Sequence, residues 1–394
     1  MLTTLAVAGY RSLRSVVLPL AELNVVTGAN GSGKSNLYRA LRLLGEAAHG
    51  RVVAALAAEG GLGSTMWAGP ERTEPSWRAG QHRRGAGRGV PRKDEVALRL
   101  GFASEDLGYL FDLGYPTPSQ RPTAFALDPV VKVELVFAGP MPRPGGQLVR
   151  RFGPAASLRS DEGDWRPVDT AVPDTDSVLT RLADPVQAPE VLTVRERIRS
   201  WRFYDAVRTD PQAPARVPRV GTFTPVLAAD GADLAAAVQT IVEIGRADLL
   251  AAAVDGAFAG ARVDVADSDG RFVLRFHRPG LLRPLTAAEL SDGTLRFLLW
   301  AAALLSPRPP ELMVLNEPES SLHPDLLAAL ADLIVAAASE GMQTLVVTHS
   351  AELVQRLRGQ GAAPIELYTQ EGETRVRGQE GLLDRPGWNW PARG

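Results

Sequence analysis

Residues Gly28-Ala29-Asn30-Gly31-Ser32-Gly33-Lys34-Ser35 carry the first chemistry visible in this 394-residue sequence. They match G-x-x-x-x-G-K-[ST], directly after an apolar run and directly before a helical one, the context that the pattern requires. Glycines let the backbone curl until successive N–H groups face phosphate oxygens, and the next helix directs its positive end there. Lys34 is expected to reach the β- and γ-phosphates of a bound nucleotide, and the Ser35 hydroxyl to ligate Mg²⁺. Asn30, Gly31, Ser32, Gly33 and Asn36 complete the expected nucleotide contacts. Only three of the 43 basic residues are lysines: Lys34, Lys93 and Lys132. A compact ammonium at the phosphates is a role that arginine's planar fork fills poorly, which accounts for a lysine at position 34. No lysine follows an asparagine, so an Asn-Lys-x-Asp guanine reader is excluded and ATP is the expected nucleotide.

Two further strand ends carry polar groups. Leu312-Met313-Val314-Leu315-Asn316-Glu317 is an apolar run closing on a polar pair, where a glutamate can orient or deprotonate an attacking water. Thr344–Val347 is a second buried run, followed by Thr348-His349-Ser350, which offers His349 to a γ-phosphate. Ahead of both, Leu290-Ser291-Asp292-Gly293-Thr294 opens a helix with a capping serine. Asp267-Ser268-Asp269-Gly270 looks like a metal-binding pair but lies between two strand runs, and reads as a hairpin turn.

The elements that must position these groups follow from periodicity. Leu2–Val7, Val16–Leu20, Leu23–Thr27, Val96–Phe102 and Val130–Phe137 read as strands. Leu37, Ala40, Leu41 and Leu44 place a helix over Asn36–Ala48. Helices are expected near Ser177–Ala183, Val191–Trp201, Asp233–Glu243, Ala247–Phe258, Thr294–Leu305 and Asp325–Ala338, and a hairpin from Arg262–Val265 and Phe272–Phe276. The last third alternates helix and strand, which argues for an α/β sheet with parallel central strands flanked by helices. The Pro-, Asp- and Arg-rich stretch 139–230 reads as an inserted lobe. It divides the chain into 1–138, 139–230 and 231–394.

Composition narrows the class. With 45% hydrophobic and 22% charged residues, the chain is an ordinary folded protein. A formal net charge of −2 excludes a globally basic nucleic-acid binder, so any DNA contact needs a local patch. The Gly-rich segment holding Arg78, Arg83, Arg84, Arg88, Arg92 and Lys93 is the candidate. Without cysteine there are no disulfides, thiolate metal sites or cysteine nucleophiles. The longest apolar run, Phe297–Leu305, is far short of the roughly 20 residues of a spanning helix, and no secretory signal opens the sequence. A cytoplasmic protein without a membrane partner is expected.

The ordered set of phosphate loop, Leu290–Thr294 segment, carboxylate strand and histidine resembles the ABC-type ATPase heads of the RecF/SMC-like group, specifically the predicted AAA-family or AAA-21 ATPases. The resemblance covers Ala8-Gly9-Tyr10-Arg11-Ser12-Leu13, Gly28–Asn36, Leu290–Phe297, Leu312–Pro324 and Val346–Ser350. It implies a P-loop NTPase fold and ATP hydrolysis with Lys34, Glu317 and His349 as catalytic groups. It also implies a homodimer in which Ser291, Asp292 and Gly293 of one head complete the ATP site of the other. Such a nucleotide-driven switch implies DNA repair or anti-phage defence, with a separate effector chain, since only about 45 residues follow Ser350. Two departures stand out: Asn316 replaces the usual acidic residue, leaving only a neutral group near Mg²⁺, and the glutamine loop has only Gln81 and Gln147 as candidates. Two other readings follow from these features. A transporter's nucleotide subunit is disfavoured by the interval of about 280 residues between the phosphate loop and Glu317. A non-hydrolysing scaffold is motivated by Asn316.

Overall fold

A computed structural model describes residues 1–69, 97–117, 123–169, 171–205, 207–381 and 383–393. The Arg78–Lys93 segment and Gln81 lie outside these residues. Three sheets organise the described chain.

The first sheet holds β1 (Leu2–Tyr10), β2 (Leu13–Pro19), β4 (Leu98–Ser104), β5 (Leu107–Gly114), β6 (Val130–Ala138), β7 (Gln147–Phe152), β8 (Ala155–Arg159) and β9 (Trp165–Pro167). Its order is β2-β1-β4-β5-β6-β7-β8-β9, antiparallel throughout. The second sheet holds β3 (Leu23–Gly28), β10 (Arg202–Tyr204), β15 (Leu312–Asn316), β16 (Gln343–Val347), β17 (Ala363–Gln370) and β18 (Glu373–Val376), in the order β10-β15-β16-β3-β17-β18. Every neighbour pair in it is parallel except the β17–β18 hairpin. The third, smaller sheet is β11 (Arg219–Val220), β12 (Arg262–Ser268), β13 (Arg271–His277) and β14 (Leu285–Thr286).

Among the described residues ten α-helices join them: α1 (Lys34–Ala47), α2 (Val52–Ala58), α3 (Leu62–Thr65), α4 (Val178–Arg181), α5 (Pro189–Ser200), α6 (Leu234–Ile241), α7 (Ala247–Ala257), α8 (Asp292–Leu304), α9 (Leu327–Ser339) and α10 (Ala351–Gly359). The central strands of the second sheet, β3, β15 and β16, are largely buried on both faces, which explains their apolar runs. One face packs with α1 and α5 in a core that includes Leu37, Leu41, Leu44, Val194 and Val314. The other packs with α8, α9 and α10 through Leu298, Trp300, Leu330, Ile334 and Leu353. The expected mixed α/β architecture with parallel central strands is therefore the observed one.

Residues 139–230 do not form a lobe of their own. Residues 147–167 extend the first sheet as β7, β8 and β9, β10 becomes an edge strand of the second, and β11 joins the third. The departure comes from arginines that do not face water. Arg150 stacks over the Trp165 ring at 4.0 Å. Arg151 is fully buried, pairing with the equally buried Glu134 at 3.3 Å and donating to the carbonyls of Gly153, Pro173 and Asp176. Glu134 also accepts from the Tyr109 hydroxyl at 2.5 Å and from Val178 N at 2.9 Å. Burial, then the Glu134 charge, hold the Tyr109 phenol far above its ordinary range. The turn at Asp267–Gly270 is the hairpin turn expected: Asp269 and Gly270 have positive φ, and Gly270 N donates to Asp267.

Residues of the C-terminal segment return to the first sheet. Trp388 packs edge-on to Phe137 at 6.0 Å, Trp390 packs on Trp388 at 5.4 Å, and Arg393 pairs with the buried Asp112. Because Arg151 compensates a carboxylate with no access to water, Arg151→Met is expected to cost about 3–5 kcal/mol of folding stability. Urea denaturation should show this loss, with partial recovery when Glu134→Leu removes the stranded charge as well.

Candidate nucleotide site

Strands β3, β15 and β16 run parallel, so Gly28, Asn316 and Val347 end at one edge of the sheet, where α/β proteins bind ligands. The carboxylate strand is not the immediate neighbour of the phosphate-loop strand, as a direct pairing would have it. β16, carrying His349 at its end, lies between them.

The loop leaving β3 turns through Gly28, Gly31 and Gly33, each at positive φ, before α1 begins at Lys34. Ser32 N donates to Ala29 O at 3.1 Å. Among the described residues, the N–H groups of Gly31, Gly33, Lys34 and Ser35 donate to no acceptor in the chain. Unpaired amides around a helix start form an anion cradle. Lys34 is largely buried, and its ammonium donates to the carbonyls of Gly28 and Ala29 at 2.5 and 3.0 Å. Burial pulls its pKa below the usual lysine value, and the Glu317 charge opposes that shift. Ser35 is exposed at the first turn of α1.

Glu317 follows β15 in the left-handed region, with φ of 48°, an uncommon conformation for a non-glycine residue. Its N–H donates to Val347 O at 2.7 Å, which continues the β15–β16 ladder one residue past the strand. Its carboxylate lies 3.2 Å from His349 Nε2. The structure thus brings the predicted Glu317 and His349 together, and places Lys34 within electrostatic reach of Glu317.

Glu319, which no sequence pattern above assigns a role, binds the two strand ends to each other. One of its oxygens accepts from Thr348 Oγ1 at 2.6 Å, from His349 N at 2.9 Å and from Ser350 N at 3.1 Å. Ser350 in turn caps α10. The second glutamate of Asn-Glu-Pro-Glu was the available signal.

Ser291 is the N-cap of α8, accepting from Thr294 N at 3.2 Å, and lies exposed with Asp292. The Asp292 carboxylate is engaged within the chain by Arg216 at 2.8 Å. Arg216 is buried and also donates to the carbonyls of Thr209, Ala287 and Leu290, so it clamps the segment leading into α8. No periodicity announces such a residue. Farther along α8, Trp300 Nε1 donates to Pro318 O at 3.0 Å, tying this helix to the turn after Glu317.

Two predicted residues stand elsewhere. The Asn36 amide donates to Ser12 Oγ at 2.8 Å, so that donor is committed within the protein. Gln147 begins β7 in the first sheet, paired with Phe137, and none of its hydrogen bonds reaches the phosphate loop. No helix among the described residues is long and apolar enough to cross a membrane.

A glycine loop between a strand and a helix start, with a lysine inside it and a carboxylate and histidine at the neighbouring strand ends, defines a P-loop nucleotide-binding head. Residues 23–355 match the model of the AAA-21 family, an "AAA domain, putative AbiEii toxin, Type IV TA system", and the chain belongs to this family of AAA-type ATPases. Similar solved structures include the SMC head bound to the C-winged helix domain of ScpA (14% identity, 95% of this chain and 97% of that one, TM-score 0.49). The Pyrococcus furiosus SMC head with an extended coiled coil, bound to the C-terminal domain of ScpA, is 13% identical over 95% of each chain, with a TM-score of 0.48. The Thermotoga maritima SMC head is 14% identical over 95% of this chain and 97% of that one, with a TM-score of 0.42. No curated protein matches the sequence.

The residues present fit a magnesium nucleotide. The free amides and Lys34 suit phosphate oxygens. Among the described residues no group of three His, Asp or Glu side chains forms a protein-only metal cage. A Mg²⁺ ion held by one hydroxyl, waters and substrate phosphates needs none. Lys34→Ala is expected to abolish ATP binding while the unfolding transition of the unliganded protein stays near that of the parent. Titration with ATP alongside thermal melting checks both halves.

Proposed function

We propose that the protein hydrolyses ATP and uses the nucleotide state to close and open a pair of heads. The observation that supports this most directly is the 3.2 Å contact between His349 Nε2 and Glu317 Oε1 at the sheet edge that ends in the phosphate loop. On binding, Lys34 exchanges the Gly28 and Ala29 carbonyls for β- and γ-phosphate oxygens, aided by the free amides of Gly31, Gly33, Lys34 and Ser35. Glu317 then takes a proton from the attacking water, and His349 steadies the carboxylate and contacts the γ-phosphate. When bound, Mg²⁺ neutralises phosphate charge, with Ser35 as its ligand and Asn316 accepting a hydrogen bond from one of its waters. A neutral Asn316 holds that ion less strongly than a carboxylate does.

The opposite face of the nucleotide is completed by a second copy of the chain. Ser291 and Gly293 stand at the start of a 13-residue helix, whose N-terminus suits a γ-phosphate. Closing two heads over the nucleotide excludes water and strengthens the electrostatics on the transferring group. The setting we favour is cytoplasmic anti-phage defence with a separate effector protein, a reading supported by the toxin–antitoxin wording of the family description. DNA repair, with DNA held by the Arg78–Lys93 segment, is the other setting of such switches.

Glu317→Gln is expected to keep ATP binding and lose about 10²–10⁴-fold in turnover, the usual worth of a general base. Parental turnover in that variant removes Glu317 from the role. For the paired heads, Ser291→Arg should block ATP-dependent dimerisation in sedimentation while each monomer still binds ATP. Mixing it with Lys34→Ala should restore part of the activity, because one composite site then pairs an intact loop with an intact Ser291 segment.

A further inference from the structure

The β17–β18 hairpin lies beyond the family-matched residues 23–355, yet it touches the phosphate loop directly. β17 pairs with β3, with Leu367 opposite Gly28, and Thr369 Oγ1 donates to Gly31 O at 3.0 Å. Thr374 is buried and donates to Ser32 O at 2.9 Å. A hydroxyl has a single proton to give. Since Thr374 gives its proton to Ser32 O, the 2.7 Å contact between Ser12 Oγ and Thr374 Oγ1 must have Ser12 as donor. The Ser12 oxygen accepts in turn from Asn36 Nδ2 at 2.8 Å. The four residues form one directional chain, from the Asn36 amide through Ser12 and Thr374 to the Ser32 carbonyl.

That carbonyl shares a peptide plane with the Gly33 N–H. In a planar trans peptide the two groups point in opposite directions, and there are no cis peptides among the described residues. Holding Ser32 O against the hairpin therefore turns the Gly33 N–H away from it, and this amide has no acceptor among the described residues. Gly33 itself has φ of 102°, and a Cβ there would lie 2.0 Å from Thr374 Oγ1. The last glycine of the loop is thus fitted to the threonine as well as to the turn.

We propose that Thr374 is a positioning residue of the nucleotide site, aiming the Gly33 amide at a phosphate oxygen through the Ser32–Gly33 peptide. The proposal rests on reading Gly28–Ser35 as the phosphate loop. Asn36 and Ser12 act through Thr374, which gives Asn36 a role without a contact to the nucleotide.

The test is ATP titration of the full chain in the presence of Mg²⁺, with melting of the unliganded protein as a control. Thr374→Val keeps the shape of the side chain and removes the donor. It should weaken ATP binding about 3–10-fold, the worth of one hydrogen bond, and Thr374→Ser should restore the parental affinity. Parental affinity in Thr374→Val overturns the proposal, as does a Thr374→Ser protein no better than the valine variant. Should Thr374→Val fail to fold, Ser12→Ala breaks the chain one link earlier and should give a shift of the same direction; parental affinity there overturns it equally. Lys34→Ala separates the two levels. If it binds ATP as the parent does, the phosphate-loop reading fails. If it loses ATP while Thr374→Val does not, only the role of Thr374 fails.

Discussion

The parallel ladder joining β15, β16 and β3 is the constraint on which the site depends. Parallel pairing in register brings Asn316, Val347 and Gly28 to the same edge. The side chains just beyond the strands then meet without any long loop to order. The ladder runs one bond further, through Glu317 N to Val347 O, and that bond holds a residue whose φ of 48° would otherwise be costly. The Glu319 carboxylate repeats the connection on the other side by collecting three donors from Thr348–Ser350. Strand pairing and side-chain bonding thus fix Glu317 and His349 relative to each other.

Around this edge, burial and charge divide the work. Lys34 sits where desolvation depresses its pKa, and the carboxylate of Glu317 partly restores it. The loop carbonyls that receive the lysine are set by the same turn that leaves the amides free. In the proposed exchange of carbonyl for phosphate oxygens the loop does not fold anew, which keeps the ordering cost low. Arg216 performs a similar service for the start of α8, and Trp300 connects that helix to the turn following Glu317. The exposed Asp292 carboxylate is paired with Arg216, beside the equally exposed Ser291 at the helix start.

Much of this was legible in the sequence wherever a short pattern has one physical meaning. The phosphate loop, the apolar runs of β15 and β16, and the helix after Lys34 all belong to that class. Glu317 and His349 stood out as polar groups closing two buried strands, and the structure brings their side chains together. The rest depended on residues whose ordinary behaviour is suspended by tertiary contacts. Arg151 and Arg216 look like solvent-facing charges and are buried clamps. β5 interleaves glycines with aromatics and an aspartate that Arg99 and Arg393 neutralise, so no clean alternation marks it. β17 and β18 are short and largely polar around a Glu371–Gly372 turn, and their value lies in what they touch. Asn36 enters the phosphate-loop pattern through the family resemblance, and nothing in that pattern shows that its amide is directed at Ser12.

The position of β3 in its sheet has a consequence for the birth of the protein. Its two partners, β16 and β17, are encoded more than 300 residues later than β3 itself. Chains emerge N-terminus first at about 5–20 residues per second, so this apolar strand waits on the order of 15–70 seconds for its neighbours. During that interval its amides and side chains are an open edge, available to chaperones or to a wrong partner. The edge that carries the phosphate loop is therefore complete only once residues 343–370 have left the ribosome. Strands made late close the edge that earlier ones began.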